Sequence, residues 1–341
     1  MTTFIARTPL DLLAVVPPAL GFHPEQSVVL LTFGAEPACH VRLDLPVTDD
    51  DRAGVTGLLR TLVARRGARQ VAVVLYTDDA GAAVALAEVL VPAVLEVGAD
   101  VVDVLRVDDG TYFAVDDSED PGTAFDLDEH PFTQRYARTG REVLDTREAL
   151  AETLVCRDLA DVEEVAAAGH RIADGLLAAG ARAAATDPDK RCSLDEVLGV
   201  ELAEQGRWLQ QRIRSALAAP DELGPSDAGR MLVLVALDRL REVALAEMDR
   251  AGALGHLELW RSLVRRSPDD LRAGPAGLLA FAAWLDGQGA LAWCALERCF
   301  GHDPDDVLGQ HVAALLESAT PPTVWTPIPE RELRVFEEEA S

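Results

Sequence analysis

Four polar residues could form a small binding site if the fold brings their strands together. Ser27 begins an apolar run that is typical of a buried strand. Arg42 and Asp44 lie on the polar side of the next predicted strand, and Arg106 lies on a later one. Together they could line a shallow polar site for a ligand. The alternative is that the charges pair across strands on a solvated face, where each pair contributes roughly 0.2–1 kcal/mol.

The hydroxyl of Ser27 comes nearest to a catalytic nucleophile. It follows a loop that contains His23, but no evident general base and orienting acid accompany it, and the sequence has no Gly-x-Ser-x-Gly turn. We expect the hydroxyl to satisfy a backbone group instead. Because no complete set of catalytic residues is evident, the sequence favours a protein that is not an enzyme, although it does not exclude an enzyme.

The sequence also argues against a nucleotide cofactor. No predicted strand is followed by Gly-x-Gly-x-x-Gly or by Gly-Lys-Ser/Thr. The turn Thr77-Asp78-Asp79 carries carboxylates, which repel phosphate groups at a helix N-terminus. We therefore expect no cofactor.

Metal-binding patterns are equally weak. The cysteines are scattered, and neither Cys-x-x-Cys nor His-x-x-x-His occurs. Residues 116–130 contain seven carboxylates, which are the ligands that Ca²⁺ and Mg²⁺ prefer, but they lack the alternation and the turn-forming Gly of a calcium loop. We predict no metal site, although the sequence leaves open whether this acidic loop takes a divalent cation.

Tryptophans and arginines in the second half are the candidate interaction residues. Trp260 precedes the one notable basic cluster, which includes Arg265 and Arg266. Trp284 and Asp286 lie on a later predicted helix and complete the set. Trp and Arg are the residues enriched at interface hot spots. The alternatives are that the aromatic rings belong to the core and that the cations cap helix C-termini.

The order of elements predicts a mixed α/β or α+β domain followed by an all-helical domain. Residues 1–140 are expected to form a mixed β-sheet with flanking helices and two β-hairpins. Residues 141–322 are expected to form a helical bundle, with a tetratricopeptide-like αα-hairpin at 276–304. Residues 323–341 are expected to be a charged tail, which is expected to be mobile from Pro329 to Ser341.

Several short sequence patterns predict where individual helices begin or end and where one turn lies. Thr8 and Thr48 each precede an acid by three residues, which predicts capping boxes. The first helix is expected to stop before Pro17-Pro18. Asp109-Gly110 between two apolar runs predicts a tight hairpin. One helix, capped by Ser226, is expected to continue to about Arg250.

Composition bounds the choice of partners and compartment. The chain carries 31 basic and 58 acidic side chains, a net charge of −27. This charge excludes direct nucleic-acid binding and disfavours an anionic membrane surface. No apolar stretch is long enough for a membrane span, the first twenty residues do not have the pattern of a signal peptide, and the odd number of cysteines indicates reduced thiols. We therefore predict a cytoplasmic protein.

Four motifs resemble, in order, those of the actinobacterial domain of unknown function 4192 family. Leu20–Val29 resembles its opening L-G-F-x-P-x-x-S, and Val41–Pro46 resembles its R-x-D-x-P. Leu259–Pro268 resembles its L-W segment, and Ala283–Ala292 resembles its A-W-x-x-G-x-G-A-L-A. The closing Pro321-Pro322 also fits. The resemblance implies an architecture but no activity.

Three functional hypotheses follow. The first is a cytoplasmic, non-catalytic protein-interaction or scaffold protein, whose partner is another protein or a second copy. The alternative is an enzyme or small-ligand sensor with a pocket between the two domains, lined by the loop before Ser27 and by the candidate ligand residues. The third is a self-associating structural protein that pairs through exposed hairpin edges.

Overall fold

The computed structural model describes residues 6–35, 39–117, 119–138, 142–186, 199–219 and 223–337. The chain divides into two compact units, Met1–Leu150 and Ala151–Ser341. The first contains a mixed β-sheet with helices, and the second is mostly helical. This confirms the predicted fold class. Within the described ranges, no helix combines the length and the apolar character needed to cross a membrane.

The described part of the first unit forms a six-stranded sheet with the strand order β2-β1-β3-β4-β5-β6. The strands are β1 Ser27–Phe33, β2 His40–Asp44, β3 Gln70–Tyr76, β4 Asp100–Asp108, β5 Thr111–Ala114 and β6 Thr123–Ala124. The helices are α1 Pro9–Leu20, α2 Asp49–Arg66, α3 Ala80–Glu96, α4 Pro131–Ala137 and α5 Arg147–Glu152. β3 and β4 are parallel, and the other described pairs are antiparallel.

Helices cover both faces of this sheet. Leu13 and Val16 of α1 pack with Val29 of β1 and Val74 of β3 on one face. α2 and α3 pack side by side and join parallel strands, so they lie together on the other face. β1 and β3 are therefore buried on both sides, which explains why their sequences are continuously apolar.

The local turn and capping predictions are confirmed. Thr8 and Thr48 accept hydrogen bonds from the backbone three residues on, and the acids there bond back to the caps. Asp109 and Gly110 have φ of 41° and 70°, which is the left-handed pair that a two-residue hairpin needs.

The predicted end of the first helix is wrong. α1 continues through Pro17 and Pro18 to Leu20, and Gly21, with φ of 82°, ends it by donating its N–H to the Pro17 carbonyl. The two prolines remove two backbone donors. The buried side chains of Leu13 and Val16 offset that loss, because most helical stability in proteins comes from packing of an apolar face.

The described part of the second unit contains nine α-helices. They are α6 Leu159–Thr186, α7 Gly199–Ala218, α8 Pro225–Val235, α9 Asp238–Ala246, α10 Ala253–Arg266, α11 Ala273–Asp286, α12 Gly289–Phe300, α13 Val307–Glu317 and α14 Arg334–Glu337. Short 3₁₀ helices lie at Asp269–Leu271, Pro322–Val324 and Glu330–Glu332. The single helix predicted from Ser226 to Arg250 is instead two helices, α8 and α9. Ser226 lies inside α8 rather than capping it.

α11 is the central helix of the second unit. Every residue from Gly274 to Leu285 is buried, so the helix has no solvent-facing side. It packs against α9, α10, α12 and α13. Gly274 approaches the neighbouring backbone so closely that a Cβ there would lie 2.7 Å from the carbonyl oxygen of Val235. A helix that is apolar all round is stable in water only when other elements enclose it.

A buried ion pair lies beside this helix. Arg241 of α9 donates from Nη1 to Asp306 Oδ2 at 2.5 Å and from Nε to the carbonyl of Val235 at 2.8 Å. Asp306 also caps α13 by accepting the N–H of Gly309 at 2.7 Å. Burial, together with the neighbouring Asp306 carboxylate, raises the pKa of the Cys299 thiol well above its usual range. The pair thus ties α9 to the start of α13 inside an apolar core.

The C-terminal segment differs from the predicted mobile tail. Leu333 and Val335 are buried, and the indole N–H of Trp325 donates to the carbonyl of Met248 at 2.9 Å. The ring of Phe336 lies against Gly206 of α7. These apolar side chains, spaced among many charges, attach residues 323–337 to the helical unit.

We predict that Arg241→Met lowers the free energy of unfolding by about 3–5 kcal/mol, because it leaves the Asp306 carboxylate buried and unpaired. Adding Asp306→Asn removes that charge but retains the cap of α13, so the double variant should recover at least about 1 kcal/mol. Urea unfolding measures both changes. Arg331→Met, which breaks an exposed pair with Glu332, is the control and should change stability by less than about 1 kcal/mol. A double variant no more stable than Arg241→Met would contradict the prediction.

A second prediction concerns His40, which lies opposite the buried Leu31. Burial lowers the pKa of His40 from 6.5 to about 4. Between these pH values His40 is protonated in the unfolded chain but not in the folded chain. The free energy of unfolding therefore falls as the pH drops from about 6.5 towards 4. Urea unfolding at about pH 7 and about pH 5 should show this loss, and His40→Gln should reduce it. His23→Gln, which makes the same substitution at an exposed histidine, is the matched control, and a loss that His40→Gln does not reduce more than the control does would contradict the prediction.

Candidate functional site

The structure brings Ser27, Arg42 and Asp44 into one hydrogen-bonded network at one end of the sheet. The buried hydroxyl of Ser27 donates to the carbonyl of Glu25 at 2.5 Å and accepts from Nε of Arg42 at 2.8 Å. Nη1 of Arg42 lies 2.6 Å from Oδ1 of Asp44. The expectation that this hydroxyl satisfies a backbone group is therefore confirmed. Its proton is used in the hydrogen bond to Glu25.

Arg106 projects from the opposite face of the sheet. Residues directly opposite each other in neighbouring strands share a face, and Arg42 pairs with Val29 while Arg106 pairs with Leu75. Because Val29 pairs with the residue before Leu75, the two arginines point in opposite directions. The four predicted ligand residues therefore do not line one surface.

Arg106 has its own set of partners. Its Nη1 donates to the carbonyl of Thr77 at 3.2 Å and to the carboxylate of Asp108 at the same distance. Its guanidinium lies over the ring of Phe113, 4.0 Å from the ring centre. An arginine held by three groups in this way stabilises the strand ends and is less available to a ligand.

Gln26 is a residue at this end of the sheet that the sequence did not indicate. It has a φ of 41°, which is unusual for a residue with a side chain. Its amide connects to the turn after β3, accepting from Thr77 Oγ1 and donating to Asp78 Oδ1, both at 3.3 Å. No sequence signal marks it, since Gln is not among the residues that favour positive φ.

The acidic loop uses its carboxylates to form turns. Asp120 accepts the N–H of Ala114 at 2.6 Å and that of Gly122 at 2.9 Å, and these hydrogen bonds hold the pKa of Asp120 below its usual value. Asp126 likewise accepts the N–H of Asp128. Across the described residues, no three metal-binding side chains are grouped as they would be around an ion.

The predicted interaction residues are mostly internal to the helical unit. Trp260 is fully buried and Trp284 is nearly so, with its indole N–H donating to the carbonyl of Thr320 at 2.9 Å. Arg266 makes a two-bond ion pair with Asp161 at 2.7 and 2.9 Å. The tryptophans therefore cannot anchor a partner at the surface. The sequence pattern could not show this, because core and interface tryptophans have the same spacing on a helix.

The remaining two predicted interaction residues lie nearer the surface. Arg265 is exposed at the end of α10. Asp286, at the end of α11, is half-buried and accepts a hydrogen bond from the side chain of Gln288 at 2.7 Å. They do not form a continuous surface with the buried tryptophans.

An exposed apolar surface occurs instead on the helices of the first unit. α3 buries Leu86, Leu90 and Val94 against the sheet. On its outer side, Val84, Val89 and Leu95 are 41%, 45% and 53% exposed, and Leu58 of the adjacent α2 is 46% exposed. We call the outer sides of these two helices the α2–α3 face; its exposed residues include Leu58, Arg60 and Arg65 of α2 and Val84, Glu88, Val89, Leu95 and Glu96 of α3.

A sequence signal for this face exists, although the sequence analysis did not use it. α3 carries two charged residues among 17, whereas 26% of the whole chain is charged. Such a helix has too few polar residues to cover the side that faces water.

Comparison with known proteins gives one match. No curated protein and no solved structure matches the chain. The model of the family described as "Domain of unknown function (DUF4192)" matches residues 9–323 of the 341-residue chain. This span covers most of each compact unit and contains the motifs on which the predicted resemblance depends. The chain therefore belongs to the DUF4192 family of domains of unknown function.

Proposed function

We propose that this chain is a non-catalytic protein-interaction protein that binds its partner through the α2–α3 face. The observation that carries the proposal is the exposure of four large aliphatic side chains on two adjacent helices. Exposed aliphatic side chains favour an interaction site, because burying them against a partner releases water at about 25 cal/mol per Å².

The composition of the face also supports binding to a protein. The aliphatic side chains of α3 are flanked by Glu88 and Glu96, and that of α2 by Arg60 and Arg65. Aliphatic side chains interspersed with charged ones are common at a protein–protein interface.

The polar candidates at the strand ends support the same proposal. Ser27, Arg42 and Asp44 use their hydrogen-bonding groups on one another and on the backbone. Arg106 is held by Thr77 and Asp108. Side chains arranged in this way stabilise the sheet end that positions α2 and α3.

We further propose that the protein works in the cytoplasm. The four described cysteines, Cys39, Cys156, Cys294 and Cys299, are free thiols. Unpaired cysteines, two of them in the helical core, are typical of a reducing compartment.

The proposal is tested by affinity capture of the tagged full chain in its native cell, with quantitative mass spectrometry. We expect Val84→Asp/Leu95→Asp to lower recovery of the partner by about tenfold or more, because it replaces two exposed aliphatic side chains of α3 with charges. The control is Val102→Asp on β4, where the wild-type side chain is 46% exposed but lies outside the face.

Thermal unfolding checks that both variants fold, which we expect because the changed side chains are exposed. Identical sets of captured proteins from the face variant and from the control would overturn the proposal.

A further inference from the structure

We propose that α7 and α9 form a peptide-binding groove, and that residues 324–337 occupy it as a tethered ligand, which a partner protein's segment of the same pattern displaces. We call it the α7–α9 groove; it is lined by Gly206, Gln210 and Leu240. The inference concerns the second compact unit, so it does not rest on the α2–α3 face.

The apolar part of the groove holds the end of this segment. α14 packs against α7 and α9, with Leu333 and Val335 only 1% and 4% exposed. The ring of Phe336 lies so close to Gly206 that a Cβ there would be 3.1 Å from Cε1 of the ring, and the guanidinium of Arg207 is 5.7 Å from the ring centre. Because glycine has no side chain, α7 leaves a recess that admits an aromatic ring.

The polar part of the groove lies further along α7 and takes a carboxylate. Nε2 of Gln210 donates to Oε2 of Glu330 at 3.4 Å and to Oε1 of Glu247 at 2.9 Å. Arg214 makes a two-bond ion pair with Glu247 at 2.6 and 2.7 Å. These hydrogen bonds, together with the charges of Glu247 and Glu330, raise the pKa of Arg214. A carboxylate on the occupant thus meets an amide donor beside a cation.

These contacts define the pattern that a partner segment needs. It carries an acid, an aliphatic residue three positions later and an aromatic residue six positions later, as Glu330, Leu333 and Phe336 do. Arg331 and Arg334, which lie between these positions, are exposed. The groove therefore recognises a short motif, and most of the binding energy comes from a few anchoring side chains.

Two observations mark residues 324–337 as an occupant of the groove and not as part of the domain that forms it. The family model ends at residue 323, so α7 and α9 belong to the family domain and this segment lies outside it. Its helices, Glu330–Glu332 and Arg334–Glu337, have only three and four residues. Helices of that length are not stable without packing. Their conformation therefore depends on the groove.

The segment is attached at two places, so it can detach locally. Trp325 donates to the carbonyl of Met248, and its ring centre lies 4.8 Å from that of Phe281. From there to the buried Leu333, the residues are exposed except for the half-buried Ile328. Segments with few buried contacts open at a lower free energy than the whole fold. The tether gives the segment a local concentration in the millimolar range, so a partner competes with it for the groove.

The first test is binding of a fluorescent peptide with the sequence of residues 324–337 to the full chain. We expect Leu333→Ser/Phe336→Ser to bind the peptide at least about tenfold more tightly than the wild type, whose groove is occupied. The control is Val324→Ser, which removes a side chain that is 58% exposed in the same segment. It should bind the peptide as weakly as the wild type does.

A groove variant shows where the peptide binds. Gly206→Leu, added to the Leu333→Ser/Phe336→Ser chain, should weaken peptide binding about tenfold or more, because the new side chain fills the place of the Phe336 ring. Thermal unfolding checks that the variants fold. The inference is overturned if the folded Leu333→Ser/Phe336→Ser chain does not bind the peptide, or if Gly206→Leu does not weaken binding.

A third measurement uses the wild-type chain alone. Trypsin cleaves after Arg331 and Arg334 when the segment detaches, and mass spectrometry follows release of the residues beyond Arg331. An excess of the peptide, with both arginines replaced by glutamine, should speed this release about threefold or more, because it occupies the groove while the segment is detached. The same peptide with Leu333→Ser/Phe336→Ser should not. Equal cleavage rates with the two peptides overturn the inference.

Discussion

A charge cannot remain unpaired inside a closed apolar core, and the helical unit is organised around one place where this constraint is met. Arg241 reaches Asp306 at 2.5 Å, and both groups are almost completely buried. Each also bonds to a helix backbone, Arg241 to the end of α8 and Asp306 to the start of α13. The pair can exist only where three helix ends converge, so it fixes their relative positions. Around it, α11 is enclosed on all sides, and Gly274 and Gly277 leave room for the close contacts.

The same principle acts in the sheet unit, where backbone pairing and burial decide where polar groups lie. The central strands β1 and β3 are covered on both faces, so their own polar side chains are confined to the strand ends, next to the polar residues of the edge strand β2. There Ser27, Arg42 and Asp44 satisfy one another. The helices that cover one face of the sheet must bury one side each. The opposite side of α3 is aliphatic too, which no requirement of the sheet explains.

The exposed aliphatic side chains of α3 are what direct the functional conclusion. A cluster of polar groups that satisfy each other stabilises a fold, whereas an aliphatic surface in water is stabilised only by a partner. The sequence directed attention to the polar groups and to the tryptophans, which turn out to be paired or buried. The exposed apolar surface consists of Leu and Val residues, whose types alone suggest no function.

The sequence by itself determined the features that depend on a few neighbouring residues. These are the capping boxes at Thr8 and Thr48, the hairpin at Asp109-Gly110, the order of helices and strands as far as Ala114, and the family. Tertiary structure alone decided that α1 continues through its prolines, that Arg106 and Arg42 occupy opposite faces, and that Trp260 is core. The physical reason is the sequence separation of the interacting residues. Caps and turns are formed by hydrogen bonds between residues at most four positions apart, whereas the burial of a residue and the side of the sheet it occupies depend on packing between segments distant in the chain.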